Sequence, residues 1–139
     1  MVGKADELPF PNAHFTCAVM TGVLYFLPRP LATFREIYRT LRPGGWLAVY
    51  SGTKKQKGTP ASPYPIADRL RFYEDRELRS LAREAGFERV TISHPSLARY
   101  AKAAGLPPSV VRVFRSGAGN VLLWARKPVG ASPPRRRAT

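Results

Sequence analysis

Acidic residues are scarce in this chain of 139 residues. Nine Asp and Glu stand against 23 Lys and Arg, a formal net charge of +14. An excess of this size points towards anionic partners, nucleic acid or an anionic membrane among them. The basic residues, however, are spread over the chain. They form only two tight clusters, Lys54-Lys55-Gln56-Lys57 and Arg135-Arg136-Arg137, with no stacking aromatics interleaved. Cysteine is nearly absent. The single Cys17 excludes an internal disulfide framework, and its place in an apolar run reads as a small core residue rather than a nucleophile. Long apolar runs are missing: Thr21 to Leu27 and Val121 to Ala125 are far too short to cross a bilayer. The start, Met-Val-Gly-Lys-Ala-Asp-Glu, has no apolar stretch of the kind a secretory signal carries. A cytoplasmic protein that does not enter a membrane is therefore expected. The two histidines, His14 in a polar loop and His94 at a strand end, read as structural or solvated rather than catalytic.

What is present is 44% apolar content, enough for one domain with a real core. Gly3 to His14 reads as a loop stiffened by Pro9 and Pro11. Phe15 to Met20 is an apolar run suited to a buried strand that continues into Thr21 to Leu24. Pro28 and Pro30 stand where a helix would begin. Leu31, Phe34, Ile37, Tyr38 and Leu41 follow at helical spacing, placing Arg35, Glu36 and Arg39 outward. Pro43-Gly44-Gly45 stops that helix, and Trp46 to Ser51 is a second strand, apolar enough to be covered on both faces. Gly52 to Pro65 is a mobile loop without periodicity. Leu78, Leu81, Ala82 and Ala85 mark another helix ending at Gly86, and Val90 and Ile92 a strand. Ser96 would cap a short helix through Ala104, and Val110 to Phe114 would form one more turn. Asn120 to Arg126 is a last strand, and residues 129–139 form a basic tail expected to be disordered. Strand and helix alternate, which predicts an α/β fold with a mostly parallel sheet. Helices on both faces would leave one sheet edge unfinished.

Four segments then carry a family signature. Gly3-Lys4-Ala5-Asp6-Glu7-Leu8-Pro9-Phe10-Pro11, with Phe15 and its strand, resembles the "GDAxxLPFxxxxFDxV" segment of class I methyltransferases. Arg35-Glu36-Ile37-Tyr38-Arg39-Thr40-Leu41-Arg42-Pro43-Gly44-Gly45-Trp46-Leu47 resembles their "ExxRVLRPGGxL" segment. Phe72-Tyr73, Glu77-Leu78 and Ala85-Gly86-Phe87 resemble a later helix and strand, and Asn120 to Pro128 the closing antiparallel strand. The resemblance runs from Val2 to about Pro128. It implies an α/β, Rossmann-like fold of which residues 1–128 are the C-terminal half, strands four to seven of seven. It also implies S-adenosylmethionine as cofactor and a small-molecule methyl acceptor. The glycine-rich loop that opens the first helix of such folds is absent from the sequence. Gly117-Ala118-Gly119 precedes a strand and reads as a turn.

Carried onto this chain, the resemblance names Lys4, Ala5, Asp6, Thr21 and Gly22 as cofactor-binding positions. In the family an acidic side chain at the Lys4 position accepts from the adenine amine. Lys4 can only donate, which leaves the Ala5 backbone N–H and, after a shift of the loop, Asp6. A solvated loop is the plain alternative for Asp6 and Glu7. Thr16 stands where the family has an acid. Thr21 and Gly22 fall at the carboxyl end of the first strand, where open α/β sheets bind ligands. Gly22 would let backbone approach the sulfonium or merely permit a tight bend. Tyr25 and Phe26 would wall the transfer site or pack in the core. No catalytic residue is assigned, because methyl transfer from a sulfonium needs mainly alignment. Residues 52–65 and 95–116 would set the acceptor. Two other readings stay open: a non-catalytic remnant or interaction module of the same fold, and a basic nucleic-acid-binding protein or RNA methyltransferase. The outer edge of the first strand should be bare and prone to self-association.

Overall fold

The computed structural model describes residues 3–59 and 62–130 of the chain. Strand β1 (Phe15–Thr21) leads through a short turn of 3-10 helix to α1 (Pro30–Thr40), which returns the chain to the start of β2 (Leu41–Gly52). Helix α2 (Asp75–Ala85) precedes β3 (Glu88–Ser93), and two short helices, α3 (Ala98–Ala103) and α4 (Pro108–Val113), precede β4 (Asn120–Arg126). The strands lie in the order β1-β2-β4-β3. β1 runs parallel to β2, and β4 is antiparallel to both its neighbours. This is the expected α/β sheet with an antiparallel last strand.

Each helix is positioned by local chemistry. Pro30 occupies the first turn of α1, where its missing N–H costs nothing. Glu74 and Glu77 form a capping box at the start of α2, and Gly86 ends it in the left-handed conformation at φ 109°. Phe34 and Ile37 of α1 and Leu78, Ala82 and Ala85 of α2 pack on Met20, Leu47, Val49, Leu123 and Ala125 of the sheet.

The structure corrects several expectations. β1 stops at Thr21 because Gly22 turns the chain at φ 62°. β2 begins at Leu41, five residues earlier than expected, and absorbs Pro43-Gly44-Gly45 as a bulge. Two steps along β1, from Phe15 to Cys17, answer five along β2, from Leu41 to Trp46. A side chain at Gly45 would press on the carbonyl oxygens of Arg42 and Thr16. Among the described residues, α1 and α2 share one face of β2, while on the other Ala48 is buried and Trp46 is 36% exposed. Cys17 lies on that second face and is exposed rather than in the core. Ser96 caps no helix; its hydroxyl donates to the carbonyls of Phe114 and Arg115. In the described part of the loop after β2, Gln56 is buried and Lys57 pairs with Asp68 at 2.8 Å. Most of the expected basic tail, from residue 131 on, lies outside the described residues. Among the described residues no helix is long and apolar enough to cross a membrane.

Candidate functional site

The carboxyl ends of β1, β2 and β3 and the amino end of β4 form one rim of the sheet. Open α/β sheets bind ligands at such a rim. Three loop segments meet there: residues 4–6, residues 22–29, and residues 53–57.

The first loop is where the sequence placed Lys4, Ala5 and Asp6. The structure brings all three to the wall of a cavity of about 410 Å³, facing Leu27, Pro28 and Arg29. Lys4 to Glu7 is a tight turn closed by a hydrogen bond from the Glu7 N–H to the Lys4 carbonyl. The Lys4 side chain is exposed. Asp6 is not solvated, as the plain alternative had it: its carboxylate is nearly buried and pairs with Arg29. Thr21 and Gly22 sit apart from this cavity, exposed at the end of β1. The Gly22 N–H is taken by the Tyr50 carbonyl at 3.1 Å, and a Cβ on Gly22 would meet nothing within 4 Å. The bend is therefore real, and the space over it holds no other group among the described residues.

What holds this loop was invisible to helical periodicity. Arg39 and Glu36, expected to face water, turn back onto residues 8–12. The Arg39 guanidinium donates to both Glu36 oxygens at 2.8 and 2.9 Å, to the carbonyls of Phe10 and Leu8 at 2.8 and 3.1 Å, and to Asn12 Oδ1 at 2.8 Å. Glu36 in turn accepts from the Leu8 N–H at 2.8 Å. The Arg39 hydrogen bonds hold the Glu36 carboxyl below its ordinary pKa, outweighing partial burial. Every donor of the planar guanidinium fork has a fixed target. Leu8, Phe10 and Asn12 carry no sequence mark of this; only the i, i+3 spacing of Glu36 and Arg39 hints at the pair.

The second cavity, of about 500 Å³, opens beyond β2 and β3. Thr53, Lys54, Lys55, Tyr73, Glu74, Asp75, His94 and Gly117 line it. His94 places Nε2 at 2.7 Å from Asp75 and Nδ1 at 2.7 Å from the Asn120 carbonyl. Both partners are acceptors, so only the protonated ring satisfies both contacts. Asp75 chiefly, and the Asn120 carbonyl, raise the His94 pKa above its ordinary value against partial burial and Lys55. Held between these two acceptors, His94 is poorly suited to accept a proton. Buried Asn120 ties the rim together, its Oδ1 accepting from Tyr50 at 2.8 Å and Gln56 at 2.9 Å. Gly117 starts the turn before β4, where a Cβ would overlap the His94 carbonyl. Of the two aromatics named from sequence, Tyr25 is half-buried, packs on Phe72 at 5.4 Å and accepts from the Gly52 N–H. Phe26 is 67% exposed and belongs to no core.

Residues 1–49 match the family model described as "Methyltransferase domain". In the solved structures, a Thermotoga maritima SAM-dependent methyltransferase, titled a possible histamine N-methyltransferase, superposes with a TM-score of 0.67. It is 24% identical, over 90% of this chain and 62% of that one. The chain carries the class I methyltransferase fold. The four strands are the fourth to seventh of the methyltransferase sheet, with the closing antiparallel strand in place. The [4+2]-cyclase SpnF is also similar, at 29% identity and a TM-score of 0.63 over 94% of this chain and 57% of that one. Among curated proteins, the ubiquinone/menaquinone biosynthesis C-methyltransferase UbiE of Pseudomonas putida is 27% identical over 128 residues, 75% of this chain. The chain spans about half the length of that relative, 50% of it.

Proposed function

We propose that this chain serves S-adenosylmethionine-dependent methyl transfer to a small-molecule acceptor, holding the adenine side of the cofactor and the acceptor. The observation that carries the reading is the rim. The cavity beside Ala5 and Asp6, the open space over Gly22, and the cavity between Thr53 and His94 all lie along the same end of one sheet. Bound there, the cofactor would supply a methyl group already activated as a sulfonium, so positioning is the main demand on the protein. The fit is partial. Ala5 and Gly22 offer backbone and space, while Asp6 is engaged by Arg29 and Lys4 brings a second positive charge. No residue described here stands in for the glycine-rich loop of dinucleotide-type sites.

The test is a titration with S-adenosylhomocysteine followed by backbone amide NMR. We expect a Kd weaker than about 1 mM, that is, less than about 4 kcal/mol of binding, with shifts confined to residues 4–6, 21–22 and their neighbours. Shifts centred elsewhere, or none at those amides, would sink the assignment. Micromolar binding would show that the chain needs no further cofactor contacts. A non-catalytic member of the fold is the second reading, favoured by the Asp6–Arg29 pair that occupies the acidic group nearest the cavity. Under that reading, removing the pair with Arg29→Ala leaves cofactor affinity unchanged.

A further inference from the structure

Charge does not balance in the cavity between Thr53 and His94. Lys54, Lys55, Glu74, Asp75 and the protonated His94 all line it. Two ion pairs account for four of them, Lys54 with Glu74 at 3.2 Å and His94 with Asp75 at 2.7 Å. The Lys55 ammonium is left over, with no acidic partner among the described residues. Three cations therefore face two carboxylates. The surplus is felt at the His94 ring itself, where Asp75 raises the pKa and Lys55 opposes the rise.

A second observation is independent of this surplus. Tyr73 lines the same cavity and is 5% exposed, yet its hydroxyl has no hydrogen-bond partner among the described residues. Buried polar groups in folded chains are nearly always satisfied. Burial chiefly, and Glu77, raise the Tyr73 pKa against Arg71, so the hydroxyl keeps its proton at neutral pH and is a donor. A surplus cation and an orphaned donor in one cavity call for the same partner, a negatively charged oxygen.

We propose that this cavity selects methyl acceptors that carry an anionic group, a carboxylate or a phosphate, held by Lys55 with the Tyr73 hydroxyl as a further donor. The acceptor's role rests on the methyl-transfer reading, whereas the anion site rests on the cavity alone. Lys54 is engaged by Glu74, and both ring nitrogens of His94 are committed to Asp75 and Asn120. His94 thus contributes charge and no free donor. The position suits an acceptor. The Tyr50 carbonyl takes the Gly22 N–H, and Thr53 lies three residues further on, roughly 10 Å of extended chain. A molecule of that length keeps its anion at Lys55 and presents its reacting atom over Gly22.

A net charge of +14 attracts anions to the whole surface, so a control cation away from the cavity is needed. Lys102, exposed on α3, serves. The probes are inorganic phosphate and benzoate, titrated separately into the full chain at fixed ionic strength and followed by backbone amide NMR. We expect saturable shifts at residues 53–55, 73–75, 94 and 117, with a Kd of roughly 1–10 mM. Lys55→Gln should weaken binding at least fivefold and Lys102→Gln less than about 1.5-fold. Tyr73→Phe should weaken it about threefold while the urea midpoint holds or rises, because an unsatisfied hydroxyl is removed. Shifts that never saturate, or an equal loss in Lys102→Gln, would reduce the binding to net charge and overturn the proposal. So would unchanged affinity in either Lys55→Gln or Tyr73→Phe. Binding of phosphate alone, or of benzoate alone, supports the proposal and names the group. S-adenosylhomocysteine is expected to move residues 4–6 and 21–22 instead, so the two readings fail separately. Anion shifts without cofactor shifts sink only the cofactor assignment, and the reverse sinks only this one.

Discussion

His94 and Asp75 lie 2.7 Å apart, Nε2 to Oδ2, and join the end of β3 to the first turn of α2 across the mouth of the larger cavity. The pairing fixes a pH dependence whose sign follows from the direction of the shift. His94 is raised above 6.5 in the folded chain. Its contribution is therefore complete below the unfolded value and is lost as the pH rises through the folded one. Both side chains are more than a third exposed, so the effect should be small, about 0.5 kcal/mol. Urea midpoints should fall from pH 6.5 upward in the natural chain and stay flat in Asp75→Asn. The His94 ring protons, followed by NMR, should titrate lower in that variant. An unmoved midpoint would show that Asp75 does not set the charge.

Arg39 should matter more to the site than any residue on the cavity wall. Arg39→Met keeps the aliphatic stem and removes every contact to residues 8–12. Several charge-assisted hydrogen bonds are lost together, and a cost of about 3 kcal/mol is expected in urea unfolding. The Leu8 amide, held by Glu36, should exchange with solvent much faster. Glu36 has the opposite pH sense from His94. Its lowered pKa gives a contribution present above 4.5 and lost as the pH falls through the folded value. Arg39→Met should abolish that acid-side slope.

Lys127 is 1% exposed and has no acidic partner among the described residues. Its ammonium donates at 2.8 Å to the carbonyls of Tyr38 and Leu41 and lies 4.5 Å from the Tyr38 ring centre. It thus satisfies carbonyls at the end of α1, where the helix dipole favours a cation. Burial pushes its pKa down. Lys127→Met leaves those carbonyls unpaired and should cost about 1–3 kcal/mol in chemical denaturation. Lys127→Arg should recover only part of this, because a planar guanidinium presents its donors in a fixed fork rather than as a compact ammonium. Full stability in the methionine variant would show that the ammonium is dispensable.

Cys17 should react with a thiol reagent in the folded chain at a rate near that of the urea-unfolded chain. Its exposure on the second face of the sheet sets this expectation. Protection of many-fold, in a monomer shown by sedimentation, would mean that the face is covered from within the chain.

The order of elements was legible in the residues because each had a local cause. Pro30 starts α1, Gly86 ends α2, and Val90 with Ile92 marks β3. Pro43-Gly44-Gly45 signals a break in either a helix or a strand, and only pairing with β1 makes it a bulge. Glu36 and Arg39 were placed outward by periodicity, which knows the helix and not the loop laid across it. Ser96 carried a cap-like signal that the distant carbonyls of Phe114 and Arg115 claimed instead.

By itself the sequence determined the fold class, the strand–helix alternation, the methyltransferase-like segments and the excess of positive charge. All of these are set by residues near one another in the chain or by composition. The tertiary structure alone decided that Asp6 is held by Arg29, that His94 is clamped between Asp75 and Asn120, and that Cys17, Trp46 and Trp124 share the sheet face away from α1 and α2. Each of these joins groups far apart in sequence, and burial and hydrogen-bond partners belong to the packed sheet. An apolar strand reads the same whether its second face is covered or bare.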